Sequence, residues 1–399
     1  MARIRMCDVA EQIRGVSYKP EDVLDGPRED AVGIFRANNI SDGIINFNDL
    51  VFVKRDKVLQ KQMLRKGDIL ICASRGSKHL VGKAAQIEAD CEYSFGAFCK
   101  VVRPQKINEL FLGMYFQSDF YRRYISDISQ GANINNIKNE HIDAIKLQRY
   151  SETEQVEIAK LLQKIITIIR LHKEQLIMLD ELIKSRFVEM FGDPVYNPME
   201  WPIKKLGDLS LQINSGNTPK GGEQVYVDEG ITFFRSQNVW KDRLEMDDIA
   251  YIDEITHASM NRSSLKHGDI LMTKTGRINT ENSSLGRAAL YMGEDDAANV
   301  NGHVYFIRLR AGVNNKFILR ILVSDEYRDY IRSVCVGGID KRQLNKDHIE
   351  NFPIICPPES MTEEYIMFVE QIDKLKLTIQ KSLKELETLK KSRMQEYFG

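Results

Sequence analysis

A heptad repeat of apolar residues in the middle of the chain is the feature that most constrains the fold. Its positions follow one another in alternating steps of four and three, and no glycine or proline interrupts the segment before Gly192. This spacing is typical of a helix that packs along one seam against another helix. Ser151 and Glu154 have the spacing of a capping box at its start. We therefore predict a helix on the order of 50 Å long within residues 151–193. The predicted packing residues are Ile158, Leu162, Ile165, Ile169, His172, Leu176, Leu179 and Ile183.

The predicted partner of this helix is a second helical segment at residues 358–399. It carries a similar apolar stripe, with a one-step irregularity near Lys376. The two segments end in the related sequences KSRFVEMFG and KSRMQEYFG, which indicates an internal duplication. The packing residues predicted on this second helix are Ile372, Leu375, Ile379, Leu383 and Leu386.

The segments before the two helices repeat one another in the same order. FRANNI, LRKGDIL and SDFYRRYI in residues 1–150 match FRSQNV, LKHGDIL and SDEYRDYI in residues 194–357. Each repeat reads as short strands and turns followed by a helix, and residues 111–128 are predicted as one amphipathic helix. The architecture is therefore predicted as α+β: two homologous domains, 1–150 and 194–357, each followed by a long helix.

The composition of the chain indicates where the protein is located, but its net charge does not indicate what it binds. The net charge is −1, so any surface that binds nucleic acid must be local. The six cysteines form no C-x-x-C pair, and neither a signal peptide nor a long uncharged apolar run is recognisable. We therefore expect a cytoplasmic protein without a membrane segment.

The motifs of a self-contained enzyme are missing from the sequence. No two of the 25 glycines are separated by a single residue, which excludes the G-x-G turn and the P-loop. No aromatic residue follows the one Pro-Pro pair, Pro357–Pro358, so the Asn/Asp-Pro-Pro-aromatic motif that grips a flipped adenine is missing. No lysine stands two residues after an acidic one, so the Asp/Glu-x-Lys spacing of many metal-dependent nucleases is missing too. The histidines are scattered, and His172 is expected to set the helix register. We therefore predict no catalytic residues, no metal site and no cofactor.

The polar loops differ between the two domains, although the segments around them repeat. They are rich in arginine, lysine and amide side chains, which suit base edges, and in hydroxyls, which suit phosphates. The predicted DNA-binding residues of the first domain are Arg14, Ser17, Tyr18, Lys19, Arg36, Asn38, Asn39, Ser74, Arg75, Lys78, His79, Asn133, Asn135, Asn136 and Lys138. Those of the second domain are Ser215, Asn217, Thr218, Lys220, Arg235, Gln237, Asn238, Lys274, Thr275, Arg277, Asn279, Lys341, Arg342 and Gln343.

With these features, the whole chain resembles the DNA-specificity subunit of type I restriction-modification systems. The resemblance rests on the order of domains and helices, the KSRFVEMFGDP ending of the first helix, and the segment Trp201–Asp208. It also rests on the Gly-Asp-Ile-Leu turns and the Pro357–Pro358 step. The first domain departs from the pattern, since Arg149 and Tyr150 stand where the prolines would be and its entry lacks the tryptophan.

The resemblance implies a non-catalytic subunit with two target-recognition domains, each reading one half of an asymmetric bipartite site in double-stranded DNA. The two helices would pack antiparallel as spacers, related by a pseudo-two-fold axis. Two modification subunits, which are adenine methyltransferases, would dock on the helices. Restriction subunits, which are ATP-dependent translocases and nucleases, would join them. S-adenosylmethionine, ATP and Mg²⁺ would then bind only to those partners.

Two other classes of protein remain as alternatives. A protein-binding coiled-coil scaffold would explain the helices but has no need of two divergent sets of basic and amide loops. The recognition part of a self-contained restriction-methylation enzyme would explain the loops but not the missing catalytic motifs.

Overall fold

The computed structural model describes residues 2–41, 43–74, 81–131, 136–278, 280 and 282–399. The chain divides into two compact units. The first unit comprises Met1–Gln175 with Ile379–Gly399, and the second comprises Leu176–Thr378. Each of two 40-residue helices contributes one part to each unit.

The first unit combines short strands with three short helices and parts of both long ones. Its strands are β1 (Arg3–Arg5), β2 (Ala10–Arg14), β3 (Val23–Leu24), β4 (Ala31–Phe35), β5 (Ile40–Ser41), β6 (Ile44–Ile45), β7 (Val51–Lys54), β8 (Ile69–Cys72), β9 (Ala84–Gln86), β10 (Tyr93–Phe95), β11 (Cys99–Pro104) and β12 (Lys146–Gln148). Its helices are α1 (Glu109–Phe116), α2 (Asp119–Gly131), α3 (Asn139–Asp143), the first part of α4 (Glu152–Phe191) and the last part of α10 (Glu359–Phe398).

The second unit is likewise built of short strands, short helices and parts of both long helices, with additional strands and helices. Its strands are β13 (Ile203–Lys205), β14 (Ser210–Ser215), β15 (Tyr226–Val227), β16 (Ile231–Phe234), β17 (Val239–Trp240), β18 (Arg243–Leu244), β19 (Ala250–Ile252), β20 (Ile270–Thr273), β21 (Thr275–Arg277), β22 (Ala288–Leu290), β23 (Ala298–Val300), β24 (Val304–Leu309), β25 (Val336–Gly337), β26 (Lys341–Gln343) and β27 (Pro353–Ile355). Its helices are the last part of α4, α5 (Leu206–Leu209), α6 (Glu254–Ser259), α7 (Asn315–Val323), α8 (Asp325–Val334), α9 (Lys346–Glu350) and the first part of α10.

The two units share one sheet topology. In the first, an antiparallel sheet of order β2-β11-β8-β9 accompanies a sheet of order β10-β4-β7-β3, in which β10 and β4 run parallel. In the second, the matching sheets have the orders β14-β24-β20-β22 and β23-β16-β19-β15, and β16 and β23 run parallel. The duplication read from the sequence is thus a duplication of the fold.

The Gly-Asp-Ile-Leu segments supply the central buried strand of each unit. Ile69 and Ile71 of β8 face the helices, whereas Leu70 faces the core between the sheets. Such two-sided burial explains why these strands are continuous apolar runs. The preceding Asp68 pairs with Arg103 of β11, with its Oδ2 2.7 Å from Nη2. Both side chains are buried, so the ion pair ties the turn to the sheet.

In the first unit, the long helices pack against each other and against the domain. Ile158 and Leu162 of α4 share a buried cluster with Met394 of α10 and with Phe111 of α1. His172 Nε2 lies 3.1 Å from Ser382 Oγ. Increasing numbers on α4 meet decreasing numbers on α10, so the two helix segments run antiparallel.

In the second unit, the other ends of the same helices pack in the same way. Phe187 and Phe191 of α4 contact Tyr365 of α10, and Phe191 also contacts Phe317 of α7. Arg186 and Glu364 form an ion pair at 2.8 Å. Phe398, at the end of α10, contacts Phe111 of α1 in the first unit, just as Phe191, at the end of α4, contacts Phe317 of α7 in the second. The two related helix endings therefore occupy equivalent positions in the two units.

The structure places most of the predicted packing residues at least partly out of solvent. Buried members are Ile158, Leu162, Ile165, Ile183 and Ile372, and half-buried members are Ile169, His172, Leu176, Leu179, Ile379, Leu383 and Leu386. The prediction for Leu375 is wrong, because its side chain is 53% exposed. Lys376 takes the seam position instead, and its Nζ lies 2.6 Å from Asp180 Oδ1.

Candidate nucleic-acid interface

A groove of about 830 Å³ on the first unit brings several predicted residues together. Ser17 and Tyr18 line it from the end of β2, Arg36 and Asn38 from the turn after β4, and Ser74 from the end of β8. These residues are far apart in the chain, so the fold assembles them into one surface. The groove is open, and its lining combines hydroxyl, amide and guanidinium groups with apolar side chains such as Val16 and Ala97. The polar groups suit the edges of bases.

A close backbone contact forms one edge of this groove. A Cβ on Gly15 would lie 2.1 Å from the carbonyl oxygen of Gly96, so only glycine fits there. The next residue, Val16, donates its backbone N–H to Phe95 O at 2.7 Å. Gly216 has the equivalent place in the second unit, where a Cβ would lie 2.0 Å from Val300 O.

Sequence reasoning missed Phe98, whose ring lines the groove and is 70% exposed. Its carbonyl oxygen accepts hydrogen bonds from the backbone N–H groups of Ala73 and Ser74, at 2.9 and 3.0 Å. These bonds hold Phe98 beside Ser74. A Gly-Ala-Phe turn just before a buried strand was the available signal, since an apolar ring at a turn is unusual unless it contacts something.

The turn after β4 corrects one prediction. Asn39 is 1% exposed, accepts a hydrogen bond from Arg36 N, and donates to the carbonyl oxygens of Asn46 and Asn48. Its amide is fully used within the turn, so Asn39 is a structural residue and not a DNA contact. Neighbouring Asn38 is exposed, so it stays a predicted DNA contact.

The equivalent turn of the second unit gives the same correction. Asn238 is 1% exposed and bonds to Arg235 N, Glu245 O and Asp248 O. The Arg235 side chain also bonds Asp248 O at 2.6 Å. Asn238 is therefore structural as well. The side-chain amide of exposed Gln237 is the largest factor that lowers the pKa of Asp248, to which it donates a hydrogen bond at 2.8 Å.

Two predicted loops of the second unit join in a small sheet of order β21-β26-β25. Thr275 pairs with Gln343, and Arg277 pairs with Lys341. Exposed Arg277 and Lys341 therefore lie side by side, although the sequence separates them widely. Among the described residues of the first unit, the corresponding contact is an antiparallel bridge between Ser74 and Asn136.

The remaining predicted residues are more dispersed. Arg14 is exposed on β2 outside the groove, Lys19 pairs with Glu21 at 3.6 Å, and Lys138 pairs with Glu140 at 3.3 Å. In the second unit, Ser215 ends β14, and Asn217 donates its backbone N–H to Val300 O at 3.1 Å. Thr218 and Lys220 lie in the loop after β14, Lys274 lies between β20 and β21, and Arg342 lies in β26. Arg75, Lys78, His79, Asn133, Asn135 and Asn279 fall outside the described residues.

The described part of the chain offers no cluster of three or more histidine, cysteine or acidic side chains that could hold a metal ion. Within the same residues, no helix is long and apolar enough to cross a membrane.

The comparison with known families decides the assignment. The model of the type I restriction modification DNA specificity domain matches the chain twice, over residues 34–181 and 198–389. The chain belongs to the type I DNA specificity family. It is a DNA specificity subunit with two recognition domains, and each unit described above contains one of them.

Known specificity subunits resemble this chain over most of its length. The StySPI specificity subunit from Salmonella potsdam is 31% identical, over 94% of this chain and 82% of that protein. The EcoKI specificity subunit from Escherichia coli K12 is 33% identical over 67% of this chain, and the match spans 59% of its own length. The S subunit from M. genitalium shares the fold, with a TM-score of 0.58, 13% identity and coverage of 100% of this chain and 96% of that one.

Proposed function

We propose that each recognition domain reads one half of an asymmetric bipartite DNA site, the first through the groove at Ser17, Asn38 and Phe98. The second domain would use the exposed residues of its small sheet. The observation that carries the proposal is one shared sheet topology with different polar side chains at its edge. Two copies of one scaffold with different loops suit two different half-sites on one duplex.

Exchanging single exposed side chains tests this proposal. Asn38→Ala should relax recognition within one half-site only, and Arg277→Ala within the other, each by about 1–3 kcal/mol of discrimination. Sequencing of methylated sites, with the chain assembled with its modification subunits, gives the readout. Each variant controls for the other, and relaxation of both half-sites by either substitution would contradict the assignment of one domain to one half-site.

We also propose that the long helices set the distance between the half-sites and dock two modification subunits. Apolar side chains exposed on α4 support this docking, since a soluble protein rarely leaves such a set uncovered. In the first unit they include Leu161, Ile168 and Leu171, and in the second Met178 and Leu182.

Met178→Lys should weaken co-purification with the modification subunit without lowering thermal stability, because Met178 packs against little of its own chain. Lys184→Met is a control at an exposed charged position of the same helix. Unchanged recovery of the modification subunit with both Met178→Lys and Leu171→Lys would argue against docking on this face.

The chemistry is proposed to reside on the partner subunits, which would bind S-adenosylmethionine, ATP and Mg²⁺ and carry out methylation and cleavage. Stoichiometric binding of S-adenosylmethionine by the isolated chain, measured by calorimetry, would contradict this. All six cysteines are free thiols, which supports a cytoplasmic location. Isolation of the chain from a membrane or extracellular fraction would refute that location.

A further inference from the structure

A cleft of about 430 Å³ in the second recognition domain is lined by residues that lie outside the predicted DNA contacts. It is bounded by Trp240 at the end of β17, by the segment before β22, and by helix α8. Trp240 Nε1 donates a hydrogen bond to Gln237 O at 3.0 Å. The cleft is thus next to a turn that carries an exposed candidate base contact.

Arg287 forms one wall of this cleft and is only 8% exposed. Its guanidinium lies 3.9 Å from the centre of the Trp240 ring, and its Nε donates to Ser283 O at 3.0 Å. Its Nη2 donates to Asn282 O. These partners are neutral, so the charge of Arg287 meets no carboxylate. Burial lowers the pKa of Arg287, and the nearby charge of Arg328 lowers it further.

Arg328, on helix α8, is half-buried, and its side chain makes no hydrogen bond or ion pair with the described residues. Two carboxylates line the same cleft, but each has another partner. Asp325 pairs with Lys241 at 2.6 Å, and Asp329 pairs with Arg332 at 2.8 Å. Four cationic and two anionic side chains therefore line the cleft, and neither Arg287 nor Arg328 forms an ion pair with either carboxylate.

A desolvated guanidinium without an anion costs free energy unless a ligand supplies one. Arginine is also the side chain best suited to a phosphate, because its planar fork can donate two hydrogen bonds to two oxygens. We propose that Arg287 and Arg328 hold a backbone phosphate of the bound DNA in this cleft. The proposal rests on the DNA-reading function above and adds a contact that positions the duplex without reading its sequence.

The first domain differs at the equivalent positions, which makes the proposed site specific to the second. The repeat places Ser41 at the position of Trp240, Lys83 at that of Arg287, and Arg122 at that of Arg328. Arg122 donates to Val81 O at 3.4 Å. The tryptophan ring against Arg287 and the unpaired side chain of Arg328 are therefore both features of the second domain.

The test is Arg328→Ala in the full chain assembled with its modification subunits. Binding is measured by fluorescence anisotropy over a salt series, with one duplex that carries the methylated motif of the wild type and one with that motif scrambled. We expect affinity for both duplexes to fall by the same factor, about tenfold, and the slope of log affinity against log salt to decrease by about 0.9. The methylated motif should stay unchanged.

Two further variants make the result specific. Arg328→Lys keeps the charge and should retain most of the salt slope, whereas Arg262→Ala removes one exposed charge outside the cleft and should leave the slope unchanged. Thermal melting checks the fold, and Arg328→Ala should melt no lower than wild type because it leaves no protein group unpaired. Unchanged affinity and slope would overturn the proposal, as would weakening on the motif duplex alone. A wild type that fails to prefer its motif would instead count against the DNA-reading function.

Discussion

At the residue scale, adjacent side chains of one type have different roles in the turn after β4. Asn38 points to solvent, while Asn39 is enclosed and bonded to three backbone groups. The sequence shows only two asparagines in a polar turn, and both suit adenine. Burial separates them, and the matching turn of the second domain separates Gln237 from Asn238 in the same way.

This difference predicts opposite outcomes for two neighbouring substitutions. Asn39→Ala should lower the free energy of unfolding by about 1–3 kcal/mol, because it removes a buried side chain that bonds three backbone groups of the turn. Asn38→Ala should change stability by less than about 0.5 kcal/mol. Thermal or urea unfolding of the full chain, followed by circular dichroism, measures both. Equal losses of stability in the two variants would show that Asn39 does not organise the turn.

At the element scale, the helices show where a periodic pattern predicts structure and where it fails. The seam of α4 was predicted from heptad spacing alone. The helix predicted over 111–128 is instead two helices, α1 and α2, because Ser118 interrupts them and its hydroxyl accepts a hydrogen bond from Tyr121 N at 3.3 Å. Ser324 caps α8 in the same way through Tyr327 N.

Leu375 shows why hydrophobicity alone misplaced one seam position. Steps of four and three from Ile372 reach Lys376 and then Ile379, so the helical period outweighs the preference of leucine for burial. The partner of Lys376 is Asp180 on the other helix, which a single-sequence pattern does not indicate. The candidate interface was predictable for the same limited reason: the residue types were visible, but burial and pairing depend on distant segments.

The corrected seam predicts unequal effects of truncation. Ile372→Ala should destabilise the second unit by about 2–4 kcal/mol, since it empties a buried site. Leu375→Ala should change the free energy of unfolding by less than about 0.5 kcal/mol because its side chain is mostly in solvent. Chemical denaturation measures the free energy of unfolding of both variants. A larger loss for Leu375→Ala than for Ile372→Ala would support the seam predicted from the sequence, in which Leu375 is a packing residue.

At the scale of the whole molecule, one duplicated scaffold is joined by helices that belong to both units. Gln175 and Leu176 on α4, like Thr378 and Ile379 on α10, are the neighbours at which each helix passes from one unit to the other. No glycine or proline lies near either point, so neither helix has a residue that readily absorbs a change of length. An added turn must therefore be transmitted along the helix.

Four residues inserted at both points, between Gln175 and Leu176 and between Thr378 and Ile379, should lengthen each helix by about 6 Å. Since DNA rises by about 3.4 Å per base pair, we expect the gap in the methylated motif to grow by one or two base pairs, while both half-sites keep their sequences. Two-residue insertions at the same points are the control, because they turn the apolar faces by about 200° and should prevent assembly. Sequencing of the methylated sites gives the readout. An unchanged gap with full methylation after the four-residue insertions would show that the helices do not set the spacing.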